Sequence, residues 1–406
     1  MTERRFFTLS KENSYENQTN GRSRAVRALK IAAITLIVLA VVLFLASLLL
    51  PKVFNMDRVV RFFRYMGLKN KEGYGTVSFD AGSSNGYAAF GDGLLVSSEG
   101  GMILYDLEGE QDAFLQASLP TPILCSGSEV SLCFSPGSSY LAALGSGGSV
   151  LIDEALSGEI IDADVSDDGY ICYLLTQTGY KSVATVLNRN QDAMFRFSSR
   201  TRYLNACTVS EGGKWLAVAA LGEENSVYRS SVVLLRTNKA VRDLEEAGSA
   251  AVQVDLGNQI IYDLKFVDSD HLCAIGQDSV TFLGVDGTVL HTVSLSDQIL
   301  LDYDFSEDGF CAFVLEPKVA GLQQAMLVLD EKGKELGKLE TGETVRDISL
   351  KDEYVALLTD RELQIYDQNL KLYYRTSDVM EATAVRVRDD GTALLINYSN
   401  AYLYIP

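Results

Sequence analysis

Residues 301–315, LDYDFSEDGFCAFVL, combine two apolar segments with a short polar turn, Ser-Glu-Asp-Gly, between them. Apolar and aromatic runs separated by such turn residues are typical of an antiparallel β-hairpin. Three further segments follow the same pattern: residues 164–175 (DVSDDGYICYLL), 208–221 (TVSEGGKWLAVAAL) and 385–397 (VRVRDDGTALLIN). A single hairpin cannot bury its own apolar face, so the repetition predicts an architecture that stacks many such units.

The turns recur at a regular spacing along most of the chain. Eight candidate turns begin near residues 91, 126, 166, 210, 268, 306, 351 and 388. This spacing, mostly about 36 to 45 residues, is that of propeller blades with four strands each. We therefore predict an all-β fold for residues 74–406, a β-propeller with eight blades favoured and seven as the alternative. The one long interval contains KAVRDLEEAGSAA (residues 239–251), which we interpret as an excursion between strands.

The two ends of this repeat region predict how the ring closes. Residues 74–79, YGTVSF, precede the first recognisable hairpin, and the chain ends on AYLYIP, which has the pattern of an inner strand. The early segment would then supply the missing outermost strand of the last blade. Such a strand joins the two ends of the ring and leaves no open gap between the first and last blades.

The charge is divided sharply along the chain. Of 35 basic and 54 acidic residues, residues 1–71 hold 13 basic and 4 acidic ones, so the remainder is strongly acidic. The basic part borders an apolar run, which suits a membrane surface. The acidic part would repel phosphate backbones, so we expect no nucleic-acid partner for the large domain.

Residues 1–51 predict a membrane anchor. Residues 1–28 are polar and basic and are interpreted as a flexible cytoplasmic tail. Residues 29–51 are interpreted as a transmembrane signal-anchor helix, in which Lys30 is the only charged residue. An apolar run of about 22 residues is long enough to cross the hydrocarbon core. A cleaved signal peptide fits less well, because the run is longer than a typical signal core and no A-x-A site follows. Basic residues on both sides nearly balance, but the large C-terminal body favours an extracytoplasmic propeller.

Residues 52–73 predict an amphipathic juxtamembrane helix. Apolar side chains recur at helical spacing to form one stripe, while the arginines point elsewhere. The predicted membrane-interface residues are Arg58, Val59, Arg61, Phe62, Phe63, Arg64 and Met66. The alternative is a collar that packs on the large domain.

The search for catalytic motifs yields few candidates. His271 and His291 are the only histidines, and neither has the neighbours of a metal site or a catalytic triad. No GxSxG elbow or P-loop occurs, so we predict no catalytic residue, no metal and no cofactor. The six cysteines are expected to be buried free thiols, with a Cys125–Cys133 disulfide across a hairpin as an open alternative.

Two pairs of carboxylates are the candidate site. Asp162 and Asp164, like Asp302 and Asp304, alternate along strands placed nearest the ring axis. Residues two apart point to one face, so the pairs could line the central channel and attract a cation. The alternative, which we favour, is that they bond to turn amides or face solvent.

The turn-and-strand units SDDGY, SEGGKWLAVA and SEDGFCAF resemble the hairpins of WD40-like and TolB-like propellers, without the Trp-Asp ending. The segments IDADVSDDGY (residues 161–170), TGYKSVATVLN (178–188) and CTVSEGGKWLAVAALG (207–222) are similar in kind to those of an uncharacterised family of bacterial proteins. The resemblance implies one N-terminal membrane helix and an extracytoplasmic propeller, and no established activity.

These observations predict a single-pass protein of the cell membrane whose propeller binds an envelope protein, peptide or glycan. The lipid bilayer would be its other partner. The alternative is an envelope hydrolase or lyase that uses channel-lining carboxylates.

Overall fold

The computed structural model describes residues 30, 35, 61, 64, 65, 75–80, 82, 85–224, 226–237, 243–245, 251–319, 321–379 and 381–406. The chain divides into two units, Met1–Lys69 and Asn70–Pro406. In the first unit Arg61 and Arg64 have helical backbone, with Arg61 buried and Arg64 exposed. The rest of the predicted tail, anchor and juxtamembrane helix lies outside the described residues, apart from helical Lys30 and Thr35 and the turn residue Tyr65. Within the described ranges no helix is long and apolar enough to cross a membrane.

The second unit consists of eight sheets, which we call blades 1 to 8 in chain order. Blade 1 consists of β2 (Gly86–Phe90), β3 (Gly93–Ser98), β4 (Gly101–Tyr105) and β5 (Gln111–Gln116), and blade 2 of β6 (Ile123–Ser126), β7 (Val130–Phe134), β8 (Tyr140–Gly145) and β9 (Val150–Ala155). Blade 3 consists of β10 (Ile160–Val165), β11 (Ile171–Leu175), β12 (Ser182–Leu187), β13 (Ala193–Ser199) and β17 (Asp243–Glu245). Blade 4 consists of β14 (Tyr203–Val209), β15 (Trp215–Glu224), β16 (Val227–Arg236) and β18 (Ala251–Gly257). Blade 5 consists of β19 (Ile261–Phe266), β20 (His271–Gly276), β21 (Ser279–Gly284) and β22 (Val289–Ser294), and blade 6 of β23 (Gln298–Ser306), β24 (Phe310–Pro317), β25 (Ala325–Asp330) and β26 (Glu335–Glu340). Blade 7 consists of β27 (Val345–Lys351), β28 (Tyr354–Thr359), β29 (Leu363–Asp367) and β30 (Leu372–Thr376). Blade 8 consists of β31 (Ala384–Val387), β32 (Ala393–Ile396), β33 (Asn400–Tyr404) and β1 (Thr76–Ser78). A 3-10 turn, Glu211–Gly213, joins β14 to β15.

The eight-bladed all-β propeller is therefore confirmed, and the ring closes as predicted. β1 pairs antiparallel with β33, with Val77 opposite Ala401, and so completes blade 8 from the other end of the chain. Val77 is fully buried in this position. Gly75 is also tied to blade 1, since its backbone N–H donates to the Leu107 carbonyl at 2.7 Å. Strand β1 and the residue before it thus link the last blade to the first.

The repeated turn serines hold the hairpins between first and second strands. The Ser166 hydroxyl accepts the backbone N–H of Tyr170 at 3.0 Å, and the Ser210 hydroxyl accepts that of Trp215 at 3.1 Å. Gly309 of the opening motif has φ +78°, in the left-handed region that favours glycine. The Ser-x-x-Gly signature is therefore a requirement of the turn conformation.

The blades pack face to face on apolar side chains. Among the described residues, seven buried clusters each join two successive blades, from blades 1 and 2 to blades 7 and 8. The interface between blades 8 and 1 is bridged by the guanidinium groups of Arg386 and Arg388, which donate to the carbonyls of Tyr87 at 2.8 Å and Asp92 at 3.2 Å.

The excursion in blade 4 makes a contact that the sequence did not indicate. Part of it, β17, pairs in parallel with β13 and adds a fifth strand to the outer edge of blade 3. The chain therefore reaches back over the neighbouring blade before it returns to β18.

All six cysteines are free, as predicted, and five of them are buried, whereas Cys125 is only partly buried. The alternative disulfide is wrong, because the register places Cys133 opposite Leu124 and Cys125 opposite Leu132. Successive strand residues point to opposite faces, so Cys125 lines the channel while Cys133 packs between blades 1 and 2. Another pair is closer, since the Sγ atoms of Cys172 and Cys207 lie 3.6 Å apart between blades 3 and 4.

Candidate functional site

The innermost strands enclose a central channel with a cavity of about 570 Å³. Its lining includes ten acidic and only three basic side chains. The acidic residues are Asp162, Asp164, Asp167, Glu211, Asp263, Asp268, Asp302, Asp304, Glu307 and Asp347, and the basic ones are Lys265, Lys351 and Arg386. The net negative charge of the large domain is thus concentrated in part at its axis.

A β-bulge places one layer of these carboxylates. The innermost strands of blades 3, 4, 5, 6 and 7 all contain a register shift near their start. The residue after the shift is an aspartate in four of these five strands: Asp162, Asp263, Asp302 and Asp347. We call these four residues the bulge ring. A bulge turns a side chain away from the regular pleat, which here directs carboxylates toward the channel.

Most members of the bulge ring accept a backbone N–H from the following blade. Asp162 accepts the N–H of Cys207 at 2.8 Å, and Asp302 accepts that of Ile348 at 3.1 Å. Asp347 accepts the N–H of Val385 at 2.7 Å. An innermost strand has an unpaired edge, so these carboxylates satisfy donors that no further strand could reach.

Asp263 differs, because it accepts the phenol O–H of Tyr303 at 2.7 Å instead. This bond also joins successive blades, since Asp263 belongs to blade 5 and Tyr303 to blade 6.

The second layer, two residues further along the strands, contains both charge signs. The Lys265 ammonium donates to Asp164 at 2.7 Å, and the Thr208 hydroxyl donates to the same carboxylate at 2.7 Å. Asp304 accepts the backbone N–H of Leu350 at 2.7 Å. Arg386 of blade 8 donates to Asp347 at 2.7 Å. The second layer is therefore closer to neutral than the bulge ring.

A bridge of side chains crosses the channel near the turns that join first and second strands. The Ser128 hydroxyl of blade 2 donates to the Glu307 carboxylate of blade 6 at 2.5 Å. The Lys351 ammonium of blade 7 donates to Ser128 at 3.0 Å and is paired with Glu307. We call these three residues the channel bridge.

Burial changes the acid–base behaviour of the channel. It raises the pKa of Asp162 to about 7, against the opposing effect of the N–H of Cys207. It also raises the pKa of Asp302 to about 7, with the nearby Asp347 carboxylate adding to the effect. The pKa values of Asp263 and Asp304 are each raised to about 6 for the same main reason. Ionised carboxylates are disfavoured here because the channel replaces much of their water.

The structure places all four predicted carboxylates, Asp162, Asp164, Asp302 and Asp304, on innermost strands that line the channel. They do bond to amides and hydroxyls, but mainly to those of the next blade and not to turn amides. Sequence reasoning missed Asp263 and Asp347, which occupy the same position after the bulge. The signal was available, since each aspartate stands at an equivalent place ahead of its turn.

Neither histidine lines the channel, although His271 is bonded to the lining residue Asp268. His271 pairs its Nδ1 with Asp268 at 2.8 Å at the start of β20, and His291 is exposed on the outermost strand of blade 5. In the part of the chain that the structure describes, no group of three or more His, Cys, Asp or Glu side chains has the geometry to hold a metal ion.

Comparison with solved structures shows the fold. The C-terminal WD40 domain of Sif2 superimposes with a TM-score of 0.55 at 12% identity, over 81% of this chain and 97% of that one. AztD from Citrobacter koseri has a TM-score of 0.45 at 11% identity, over 72% and 85% of the two chains. Cps50 (Swd1) of Myceliophteria thermophila has a TM-score of 0.45 at 10% identity, over 82% and 98%. No curated protein sequence matches the chain.

A family model matches residues 66–400, which is nearly the whole propeller. The chain therefore belongs to the family of unknown function DUF5711.

Proposed function

We propose that this protein is a membrane-anchored binding module whose propeller, outside the cell membrane, captures an envelope protein, peptide or glycan. The observation that carries the proposal is the contrast between a closed ring and its exposed surface. The ring is held closed by hydrogen bonds from carboxylates to neighbouring blades and by the pairing of β1 with β33. Large apolar side chains such as Tyr228 and Leu322 nevertheless remain exposed at its strand ends and loops. Scattered apolar residues are normal on a surface, but a group of them on one face is typical of a binding surface.

The anchor and the orientation rest on the sequence. An apolar segment at residues 29–51 would hold the propeller close to a bilayer and so restrict its search to partners at the membrane. The basic residues of the predicted juxtamembrane helix would contact anionic headgroups.

The test is crosslinking in intact cells, followed by affinity capture of the full-length protein and mass spectrometry. The proposal expects one or two envelope components that disappear when residues 74–406 are deleted from the tagged chain. Recovery of the protein alone, under conditions where a known envelope complex is captured as a positive control, would contradict it. Protease accessibility of the propeller in intact spheroplasts tests the orientation separately.

A second candidate function is hydrolysis or elimination by the channel carboxylates. The observation in its favour is that the pKa values of Asp162 and Asp302 are both near 7, where a general acid or base is most effective. If this is correct, Asp162→Asn or Asp302→Asn abolishes turnover of an envelope substrate while thermal unfolding stays within a few degrees of the parent. Turnover retained in both variants would exclude these residues as the catalytic pair.

A further inference from the structure

The two faces of the propeller differ in their loops. The turns between first and second strands, with the channel bridge, lie on one face. The opposite face, which we call the entry face, carries the start of each innermost strand and the loops between second and third strands. Since the channel bridge crosses the axis near the other face, the bulge ring is reached from the entry face.

Exposed apolar side chains concentrate on the entry face of three consecutive blades. Of 17 large hydrophobic residues that are exposed in the described chain, nine lie at strand starts or loops of this face in blades 4, 5 and 6. They include Tyr228 near the start of β16 in blade 4, Ile260 and Tyr262 at the start of blade 5, and Leu301 and Val319 of blade 6. We call this surface the apolar arc.

Strand lengths give the arc a concave profile. The second and third strands of blade 4, β15 and β16, have ten residues each, and those of blade 6, β24 and β25, have eight and six and are joined by residues 318–324. Between them, β20 and β21 of blade 5 have six residues each, joined by a short turn at residues 277–278. The entry-face hairpins of blades 4 and 6 are therefore longer than that of blade 5, and Tyr262 belongs to the shorter blade between them.

The basic residues next to the arc are already bonded within the propeller, since Arg229 pairs with Asp255 at 3.3 Å and the Lys318 ammonium donates to the Leu295 and Ser296 carbonyls at 2.9 Å each. Tyr262 directly precedes Asp263, and Leu301 directly precedes Asp302, so the arc borders two members of the bulge ring. The nearest channel cations are paired with carboxylates other than Asp263 and Asp302, since Lys265 pairs with Asp164 and Arg386 with Asp347 of the bulge ring. A cationic group that entered over blade 5 would therefore reach two carboxylates, Asp263 and Asp302, that no basic side chain pairs with in the salt bridges of the described residues.

We propose that the apolar arc and the bulge ring together bind a segment of a partner protein that carries apolar side chains and at least one Lys or Arg. The apolar side chains would lie over blade 5, and the cationic group would reach Asp263 and Asp302. This inference rests on the proposed binding function and narrows it to one partner class. Charge complementarity favours a basic segment over an acidic one, and the aliphatic members Ile260, Leu301 and Val319 favour a peptide over a glycan.

Position-specific photo-crosslinking in intact cells tests the proposal with the full-length chain. A benzophenone amino acid replaces Leu301 or Val319 in the arc, or Phe114 or Val289 on outermost strands as matched controls. Leu301, Phe114 and Val289 have similar exposures of 44%, 48% and 50%. We expect a protein adduct from the arc positions only, at a mapped peptide that contains apolar residues and a Lys or Arg. The double variant Asp263→Asn/Asp302→Asn should reduce the adduct at least fivefold.

The outcomes separate this inference from the broader function. Protein adducts from Phe114 or Val289 alone would overturn the inference and leave a binding function in place. Adducts with a lipid, with a second copy of the chain, or with an acidic peptide would overturn it as well. No adduct from any position, together with no captured envelope component, would contradict both. Because the double variant could unfold, Tyr262→Ser serves as a second test, and thermal unfolding of both is measured alongside.

Discussion

The Ser128 hydroxyl lies 2.5 Å from the Glu307 carboxylate, although 179 positions separate the two residues in the chain. Ser128 belongs to blade 2 and Glu307 to blade 6, which are opposite each other in a ring of eight. With Lys351, they form a contact across the channel that no pair of neighbouring blades could make. This contact gives the channel a floor near one face and leaves the bulge ring accessible from the other.

The channel bridge predicts energetic coupling between distant parts of the sequence. In a double-mutant cycle, Ser128→Ala and Glu307→Gln should be non-additive by about 0.5–2 kcal/mol, because both remove parts of one hydrogen-bonded group. Urea unfolding measures the free energy of each variant. The pair Ser128→Ala and Glu335→Gln is the control. Because Glu335 is exposed on an outermost strand, the effects of these two substitutions on the free energy of unfolding should simply add. Strict additivity in both cycles would show that the bridge does not form in solution.

The raised pKa values predict a pH dependence of stability. Because Asp162 and Asp302 have folded-state pKa values near 7, above the ordinary value of 3.8, the folded protein binds more protons than the unfolded chain between these pH values. The free energy of unfolding contributed by each group is therefore highest below about pH 4 and falls as the pH rises to about 7. Each carboxyl group changes the slope of the free energy of unfolding against pH by at most about 1.4 kcal/mol per pH unit.

Substitution isolates this contribution from that of other groups. The variant Asp162→Asn/Asp302→Asn should lose less stability than the parent between pH 5 and pH 8, as measured by urea unfolding at each pH. The control Glu335→Gln/Glu340→Gln removes the same charge from exposed positions of an outermost strand and should follow the parent. A parent-like pH profile in the Asp162→Asn/Asp302→Asn variant would mean that these carboxylates titrate normally.

Closure of the ring predicts sensitivity at its first strand. Val77→Ala should lower the free energy of unfolding by about 2 kcal/mol, because it leaves a cavity in the fully buried pairing of β1 with β33. Ser78→Ala is the matched control, since Ser78 is exposed and loses only its 2.7 Å bond to Asn400. Thermal and urea unfolding measure the loss of stability in the Val77→Ala and Ser78→Ala variants. Equal effects from the two substitutions would argue against closure by this strand.

The Arg386 guanidinium should matter more than other arginines of the ring. Arg386→Met should destabilise the protein by about 3 kcal/mol, because it leaves the Asp347 carboxylate without its cation and removes the donor to the Tyr87 carbonyl. Arg346→Met is the comparison: Arg346 also donates to a carbonyl outside its own blade, that of Ala382 at 2.8 Å, but its carboxylate partner Asp360 is half-exposed, so loss of that ion pair should cost about 1 kcal/mol or less. Similar losses in the two variants would show that burial of the Arg386 pair has no special effect.

The sequence predicts the repeat well because its signals are local. Turn residues such as Ser166 and Gly309 are required by a conformation that spans only a few positions, and the apolar pattern of each strand is equally local. The strand that closes the ring was also predictable, since one blade lacked its outermost member.

The site was only partly predictable because its contacts depend on the ring. Asp162 and Asp302 were visible as members of Asp-x-Asp pairs, whereas Asp263 and Asp347 were missed because Lys265 and Ser349 stand two residues after them. Which amide each carboxylate accepts depends on the neighbouring blade, and the pairing of Ser128 with Glu307 depends on the blade count. Neither follows from local spacing.

The most direct measurement is the affinity of the full-length protein in nanodiscs for a fluorescein-labelled twelve-residue peptide that alternates Leu and Lys. Matched peptides replace Lys by Glu or Leu by Ser, and empty nanodiscs are the background. We predict saturable anisotropy with the Leu-Lys peptide only, weakened at least tenfold by Asp263→Asn/Asp302→Asn and by Tyr262→Ser. Phe114→Ser and Glu335→Gln/Glu340→Gln should have no effect. Equal binding of the Leu-Glu peptide, or equal weakening by the control variants, would contradict the proposed binding face.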